Sequence, residues 1–421
     1  MKNKDLSPMC FGMCLLITTI VVNARAEDIY VPSQFATIQA ALVQARIDRL
    51  SSRLPKNETI VIHVGGGEYV ETLPLILDVP NLRLEGETML TTDANGLPTG
   101  FVAWTATQLI AKPALAGAQT ILLIRPTSNT LSGTGVTVEG LVFDAGNGGS
   151  AVNGRDITLD RVRSFSIRRN VLTGSPSIAI DARASVGIIV ENFIETAGCG
   201  SCLMAGNKHS PAAYSFVRNR SVSNAFAGVL VAGSPDSVQH PDLLPVAPGT
   251  IFDHVSAAII GNDLSDNNAD PSFSSGVRFF AINTGIPTPQ STGNVTAAVI
   301  NNTITNNSFG ISIDAGFPLR ADARLWTASF QAAFSGNIIS DNKRTSALIT
   351  FTRNTSAIFP NQLKNFKYLQ ESIFTIIDPG GDLNGYWFDH PATDPIDGRT
   401  LQNTLRVNGV KVPNGRNFRR K

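Results

Sequence analysis

One phrase recurs down this chain and constrains its fold more than composition does. Between Asn294 and Gly316 an alternating apolar run (Ala298, Ile300) reaches Asn302. A second short run follows at Ile304, then an Asn-rich turn, then a third run (Ile311, Ile313) after Gly310. The same phrase is read from Ser185, Tyr214, Ala257 and Phe334, and its marker asparagine stands at Asn170, Asn192, Asn219, Asn262, Asn302 and Asn337. Successive differences between those positions are 22, 27, 43, 40 and 35 residues. The shortest is about one coil of a solenoid, and the longer ones are a coil plus an insertion. Apolar alternation with period two over four to six residues marks strands with one buried face. A single coil cannot bury its own inward face, so stacking is obligatory. The fold class that follows is all-β, a single-stranded right-handed parallel β-helix.

The stretches Gly261-Asn262-Asp263-Leu264-Ser265-Asp266-Asn267 and Gly336-Asn337-Ile338-Ile339-Ser340-Asp341-Asn342 resemble the GN-x-I-x-x-N turns of the pectate-lyase-like superfamily of right-handed parallel β-helix proteins. The resemblance covers roughly residues 30–350. Near its start, Thr37-Ile38-Gln39-Ala40-Ala41-Leu42, followed by Ile62 to Glu71, resembles the opening of pectin-methylesterase-like β-helices. This superfamily hosts lyases, hydrolases, epimerases, esterases and proteins without catalysis, so the resemblance speaks for fold more than for activity. It implies an extracellular, acidic polysaccharide as partner and pectate-lyase-like action on it. The alternative is a non-catalytic carbohydrate-binding, adhesion or structural envelope protein. If the chain is an enzyme, the resemblance implies a polysaccharide lyase or epimerase, with calcium as the ion it would use. Several motifs of related β-helix enzymes are missing. Asp253-His254 is flanked by Phe252 and Val255 rather than completing D-P-H-D, and neither G-H-G nor D-F-x-F-G occurs.

Residues 1–26 read as a secretory signal: Lys2 and Lys4, an apolar run from Phe11 to Val22, then Ala24-Arg25-Ala26 before Glu27. The run is shorter than the roughly 20 apolar residues of a membrane span and contains Thr18 and Thr19. The mature chain is therefore expected to be secreted or periplasmic, without a membrane span. A net charge of +1 gives no basic excess for nucleic acid. Thr37 is a plausible N-cap, with Ile38, Ala41, Leu42 and Ala45 on one face of a helix near 37–50 that would close the open solenoid end. The β-helix with this cap is expected over 27–355, and a strand-rich C-terminal cap with a basic tail over 356–421. There Asp378, Asp382 and Asn384 lack the spacing of a calcium loop. A monomer is expected. Cys199 and Cys202 form either a local disulfide or two thiols at a coil corner, and an oxidising compartment favours the disulfide.

Stacking the runs that follow each Asn-rich turn makes Ile178 and Ile180, Cys202 and Met204, Val229 and Val231, Val277 and Phe279, Ile311 and Ile313 the inward pairs. Charged side chains then stand on a mostly small or apolar outward face. Arg278 lies diagonally across from Asp314 one coil away, while Asp181 is four coils from Asp314, roughly 19 Å. Asp181 could join only Arg183 or the loop pair Lys208 and His209. The catalytic candidates are Arg278, Asp314, Asp181, Lys208 and His209, with Arg183, Phe280 and Ser312 as substrate contacts. A uronate lyase needs a base for the proton α to the carboxylate and a cation for the resulting enolate-like charge. The competing reading is a set of ion pairs without chemistry. No residue is assigned as a metal ligand. The marker asparagines are expected to form a buried ladder, and the register of Asp156 to Asn170 stays open, because Ile157 and Phe165 are too close to head separate coils.

Overall fold

The computed structural model describes residues 27–51, 54–55, 57–110, 120–126, 134–145, 154–207, 209–233, 250–269, 274–281, 290–315, 330–343 and 345–350, with short strands at 373–376, 386–389, 404–407, 410–412 and 417–418. Each run of the repeated phrase pairs in parallel with its counterpart one coil on. Sheet A holds ten strands, from Glu27–Val31 and Ile60–Val64 to Phe330–Ser335. Sheet B runs from Gly67–Tyr69 to Arg220–Val222 and continues through Asp263 to Thr303–Thr305 and Ile338–Ser340. Sheet C holds eleven strands, from Leu75–Leu77 to Tyr386–Asp389, with Asn417–Phe418 antiparallel at its edge. A coil therefore reads A, B, C. Parallel crossovers take the right hand, and the inward side chains of all three sheets form one continuous core. The stretch from Arg155 resolves accordingly: Arg155–Asp160 belongs to sheet C and Arg163–Arg168 to sheet A, with Arg161 turning the corner at φ 57.

The corners explain the asparagines. Immediately before each marker stands a residue in the left-handed region: Arg169 (φ 53), Glu191 (56), Arg218 (53), Gly261 (64), Asn301 (54) and Gly336 (65). That conformation swings the chain from sheet A to sheet B, at about 1–2 kcal/mol for a residue with a Cβ. The marker asparagines offset it. In Asn170 both the backbone N–H and Nδ2 donate to Asn192 Oδ1, at 3.0 and 3.1 Å. The same paired bonds join Asn192 to Asn219, Asn219 to Asn262, Asn262 to Asn302 and Asn302 to Asn337. Each ladder Nδ2 also reaches a strand carbonyl, as Asn302 does to Ile259 at 2.9 Å. A second ladder runs through Asn224, Asn267, Asn307 and Asn342 at the B-to-C corner. There Ser223, Asp266, Asn306 and Asp341 hold the left-handed position.

Sheet A begins before the capping helix, at Glu27. The helix, Ile38–Leu50, is capped by Thr37 Oγ1, which accepts from the Ala40 N–H at 3.1 Å, and Glu71 accepts from the Ile38 N–H at 2.7 Å. Its residues Ile38, Ala41, Leu42 and Ala45 close the end of the core. A hairpin absent from the sequence reading, Leu90–Thr92 with Pro98–Phe101, covers the outside of sheet B. Its Leu90 and Phe101 pack on Val142, Val171 and Phe193. In the C-terminal region Ile373–Ile376 pairs in parallel with Thr404–Val407, and Tyr386–Asp389 extends sheet C. Asp378, Asp382 and Asn384 lie outside the described residues.

Replacing Asn302 with Ala leaves the buried N–H of Asn262 without its acceptor, and the expected loss is on the order of 1–3 kcal/mol in chemical denaturation. A denaturation midpoint equal to that of the parent protein would contradict the ladder's structural role.

Candidate functional site

Sheet C takes its register from a glycine. Cys199-Gly200-Ser201-Cys202-Leu203-Met204 stacks under Ala227-Gly228-Val229-Leu230-Val231-Ala232, and that under Ser275-Gly276-Val277-Arg278-Phe279-Phe280. A Cβ on Gly200 would collide with Ser221 Oγ and the Gly228 carbonyl, so the position admits no side chain. The residue after it faces the core. The inward pair of this coil is therefore Ser201 and Leu203, and Cys202 and Met204 point outward, opposite to expectation. A slip of one residue exchanges every side chain between the faces. Here Cys and Met pass for core residues, which concealed the slip, and the recurring glycine was the alignment mark available in the sequence.

Two outward rows result. One carries Thr158, Asp181, Cys202, Leu230, Arg278 and Ser312, and the next Asp160, Arg183, Met204, Ala232, Phe280 and Asp314. Arg278 is thus level with Ser312 and diagonal to Asp314, whose side chain lies outside the described residues. The second expected constellation does not assemble. Asp181 pairs with Arg155 one coil back (Nε to Oδ2, 2.9 Å), and Asp160 Oδ1 accepts from Arg183 at 3.0 and 2.8 Å. Lys208 is outside the described residues. His209 is exposed at the corner leading to sheet A, where its carbonyl accepts from Arg163 at 2.8 Å.

This face is withdrawn from solvent. Arg155 and Asp181 are 3% exposed and Arg278 8%. The Arg278 guanidinium lies 4.5 Å from the Phe226 ring centre and 4.9 Å from that of Phe280, a cation–π arrangement that holds it within an apolar cluster. Cys199 and Cys202 are buried thiols rather than a disulfide, with Cys202 Sγ donating to Cys199 Sγ at 3.1 Å. Asp156 occupies the position where neighbouring coils carry Ala179, Gly200 and Gly228. It is fully buried, beside Asp144 and the backbone of Ala145. Burial first, and the nearby Asp144 second, push its carboxyl well above the usual carboxylate range. His254 accepts or donates at Ser256 Oγ (2.8 Å), and burial lowers its pKa below the ordinary imidazole value.

A continuous chain of partly exposed ionisable groups lies instead on sheet A. One outward row reads Tyr30, His63, Glu85, Glu139, Arg168, and the row beside it begins Asp28, Val61, Arg83. Between these rows runs a continuous chain of contacts. His63 Nε2 lies 2.9 Å from Asp28 Oδ1, and its Nδ1 2.6 Å from Glu85 Oε1. Arg83 bridges Glu85 (2.8 Å) and Glu139 (2.9 Å), and Arg168 closes the chain on Glu139. The Tyr30 ring stacks on His63, with centres 4.7 Å apart and planes 14° from parallel, and is itself 43% exposed. Past Arg168 the same row turns apolar, with Val190, Val217, Ile260 and Ile300. The sequence reading missed this cluster because its members come from strands up to about 140 residues apart, beginning with Asp28 and ending with Arg168. The available signal was an ionisable residue at alternate positions of successive sheet A strands. Among the described residues no three His, Cys, Asp or Glu side chains converge to hold a metal ion, and no helix is long and apolar enough to cross a membrane.

No protein-family model matches the sequence. No curated protein matches it either. Among solved structures, the chain is similar to the ORF18 protein of Geobacillus virus E2 (TM-score 0.48, 10% identity), covering 90% of this chain and 61% of that one. It is also similar to a DFA-IIIase from Arthrobacter chlorophenolicus A6 (TM-score 0.38, 16% identity, 91% and 99% covered). A third likeness is to the A-module of a mannuronan C-5 epimerase from Azotobacter vinelandii (TM-score 0.38, 15% identity, 89% and 94% covered). At these scores the likeness carries no residue-level correspondence.

The raised Asp156 carboxyl couples stability to pH. The unfolded chain releases this proton near pH 4, whereas the folded protein keeps it to higher pH. Folding is therefore penalised increasingly as pH rises above about 4. Asp156→Asn removes that titration, so its melting temperature should gain on the parent between pH 4 and pH 7. An offset that is the same at both pH values would show that Asp156 does not titrate abnormally.

Proposed function

We propose that this chain is an exported β-helix protein that binds extracellular polysaccharide, and that its contact face is the outside of sheet A from Tyr30 to Arg168. The single observation that carries the reading is a pair of outward rows in which one aromatic ring, one imidazole, carboxylates and guanidinium groups are linked by contacts. Parallel strands repeat such groups at a fixed step of about 4.8 Å, which suits an extended polymer. Carboxylate oxygens accept from sugar hydroxyls and guanidinium N–H groups donate to them, while an exposed ring with an apolar body covers the apolar side of a sugar. The leader at 1–26 supports export, and the mature chain reads as a β-helix over 27–355 followed by a C-terminal cap over 356–421. A monomer suffices, because the row lies within one chain.

A second, finer reading is pectate-lyase-like cleavage on sheet C, with calcium as the accompanying ion. It is favoured by the diagonal placement of Arg278 and Asp314, one coil apart. The slight exposure of Arg278 and its two phenyl partners weigh against it. Absorbance of unsaturated uronates, with pectate or alginate and with or without calcium, tests it directly. A rise that Arg278→Lys abolishes without loss of thermal stability would favour cleavage at sheet C over binding at sheet A.

For the sheet A reading, affinity electrophoresis in gels cast with individual polysaccharides is the measurement. Tyr30→Ala should weaken retardation by about three- to tenfold, the scale of one aromatic stacking contact. Retardation equal to the parent's in every gel would place the binding face elsewhere.

A further inference from the structure

We infer that the polysaccharide taken by sheet A is uncharged, and that uronate polymers are disfavoured there. This rests on the reading of sheet A as the binding face and goes on to its substrate class.

The order of charge along the contact chain is Asp28, His63, Glu85, Arg83, Glu139, Arg168, so carboxylates and cationic or basic groups alternate. Each cation of the chain already faces one or two carboxylates. Arg83 spends its fork on Glu85 and Glu139, and Arg168 holds the other oxygen of Glu139. A uronate that enters must displace a protein carboxylate from its guanidinium or sit beside it. Displacement exchanges one ion pair for another, and the displaced carboxylate stays within about one strand spacing, 4.8 Å, of the incoming charge. Successive uronates along a polymer would meet this repeatedly, since Glu85 and Glu139 are register partners on neighbouring strands. Like charges placed together in this way select against a partner.

A neutral glycan meets the opposite situation. An ionised carboxylate offers about four lone-pair sites. Glu85 faces His63 with one oxygen and Arg83 with the other, and Glu139 likewise faces Arg83 and Arg168. Each oxygen keeps a lone pair for a hydroxyl, so neighbouring hydroxyls of one sugar can donate to both oxygens of one carboxylate while every existing ion pair stays intact. The class that fits is a neutral polysaccharide with adjacent free hydroxyls, laid along the row and ending against the outer face of Tyr30, the face turned away from His63.

Affinity electrophoresis of the mature full chain against a β-glucan, a fructan and a galactomannan, and against pectate and alginate, each at low and moderate salt, tests this. The expected result is retardation by at least one neutral polymer that changes little with salt, with uronate polymers bound about tenfold more weakly or worse. In the Glu85→Gln, Glu139→Gln double variant, which keeps the shapes and removes two negative charges, retardation by the neutral polymer should fall and that by pectate should rise about tenfold. If the parent instead binds pectate or alginate more tightly than any neutral polymer, and Tyr30→Ala weakens that binding, the face is right and the substrate class is wrong. If Tyr30→Ala leaves all binding unchanged, or no polymer of either class binds, the face itself is wrong and the inference falls with it. Melting temperatures of all variants within a few degrees of the parent's exclude unfolding as the cause.

Discussion

The structure depends on how a single left-handed residue is made tolerable at a corner. A residue with a Cβ resists that region, yet Arg169, Glu191, Arg218 and Asn301 all occupy it. What holds them there is the amide that follows. From Asn192 to Asn337, each ladder asparagine presents one oxygen to two donors of the preceding coil and one nitrogen to a strand carbonyl beneath. These bonds are buried, so breaking one exposes unpaired groups that no water reaches. The corner is thereby fixed to the residue, and with it the phase of the strands on either side.

From that phase the character of each outer face follows without further assumption. In sheet C the glycine at Gly200, Gly228 and Gly276 sets which residues turn outward, and the outward rows are buried, so their charges must be matched internally. They are: Arg155 with Asp181, Arg183 with Asp160, Arg278 with two phenyl rings. Removing either partner of such a pair would strand a buried charge, which is reason enough for these residues to be where they are. Sheet B is closed by its own hairpin, whose carbonyls at Asn95 and Gly96 accept from Arg218. Sheet A is the face on which partly exposed ionisable side chains link into a continuous chain of six.

The fold was legible because its grammar is local. An asparagine after a short apolar run, repeated six times, identifies both the strands and the ladder, and Thr37 with the Ile38, Ala41, Leu42, Ala45 face identifies the capping helix. The second ladder lay in the same motif, in Asn267 and Asn342, but was masked by its resemblance to an ordinary Asn-rich turn. The site was far less legible. Cys202 and Met204 look apolar enough for the core, so one coil was placed a residue out of phase. The true partner of Asp181 is not legible, because Arg155 stands at the edge of the stretch whose register stays open. The sheet A cluster is assembled by stacking alone, and nothing in the local sequence around His63 or Glu139 distinguishes them from solvated strand residues.

Stability does not account for that cluster. Ion pairs between groups as exposed as Asp28, Arg83 and Arg168 contribute at most about 1 kcal/mol each, and often nothing measurable. A strand face that needed only solubility could carry threonines and lone lysines at lower entropic cost. What five linked contacts do provide is position: His63 is held from both ring nitrogens and covered by Tyr30, and Arg83 is held from two carboxylates at once. Side chains fixed before a partner arrives lose little freedom when it binds. An exposed, mutually braced row of donors and acceptors on a rigid parallel sheet is therefore better explained as a surface prepared for a ligand than as a contribution to the fold, whose own requirements are met at the corners and in the core.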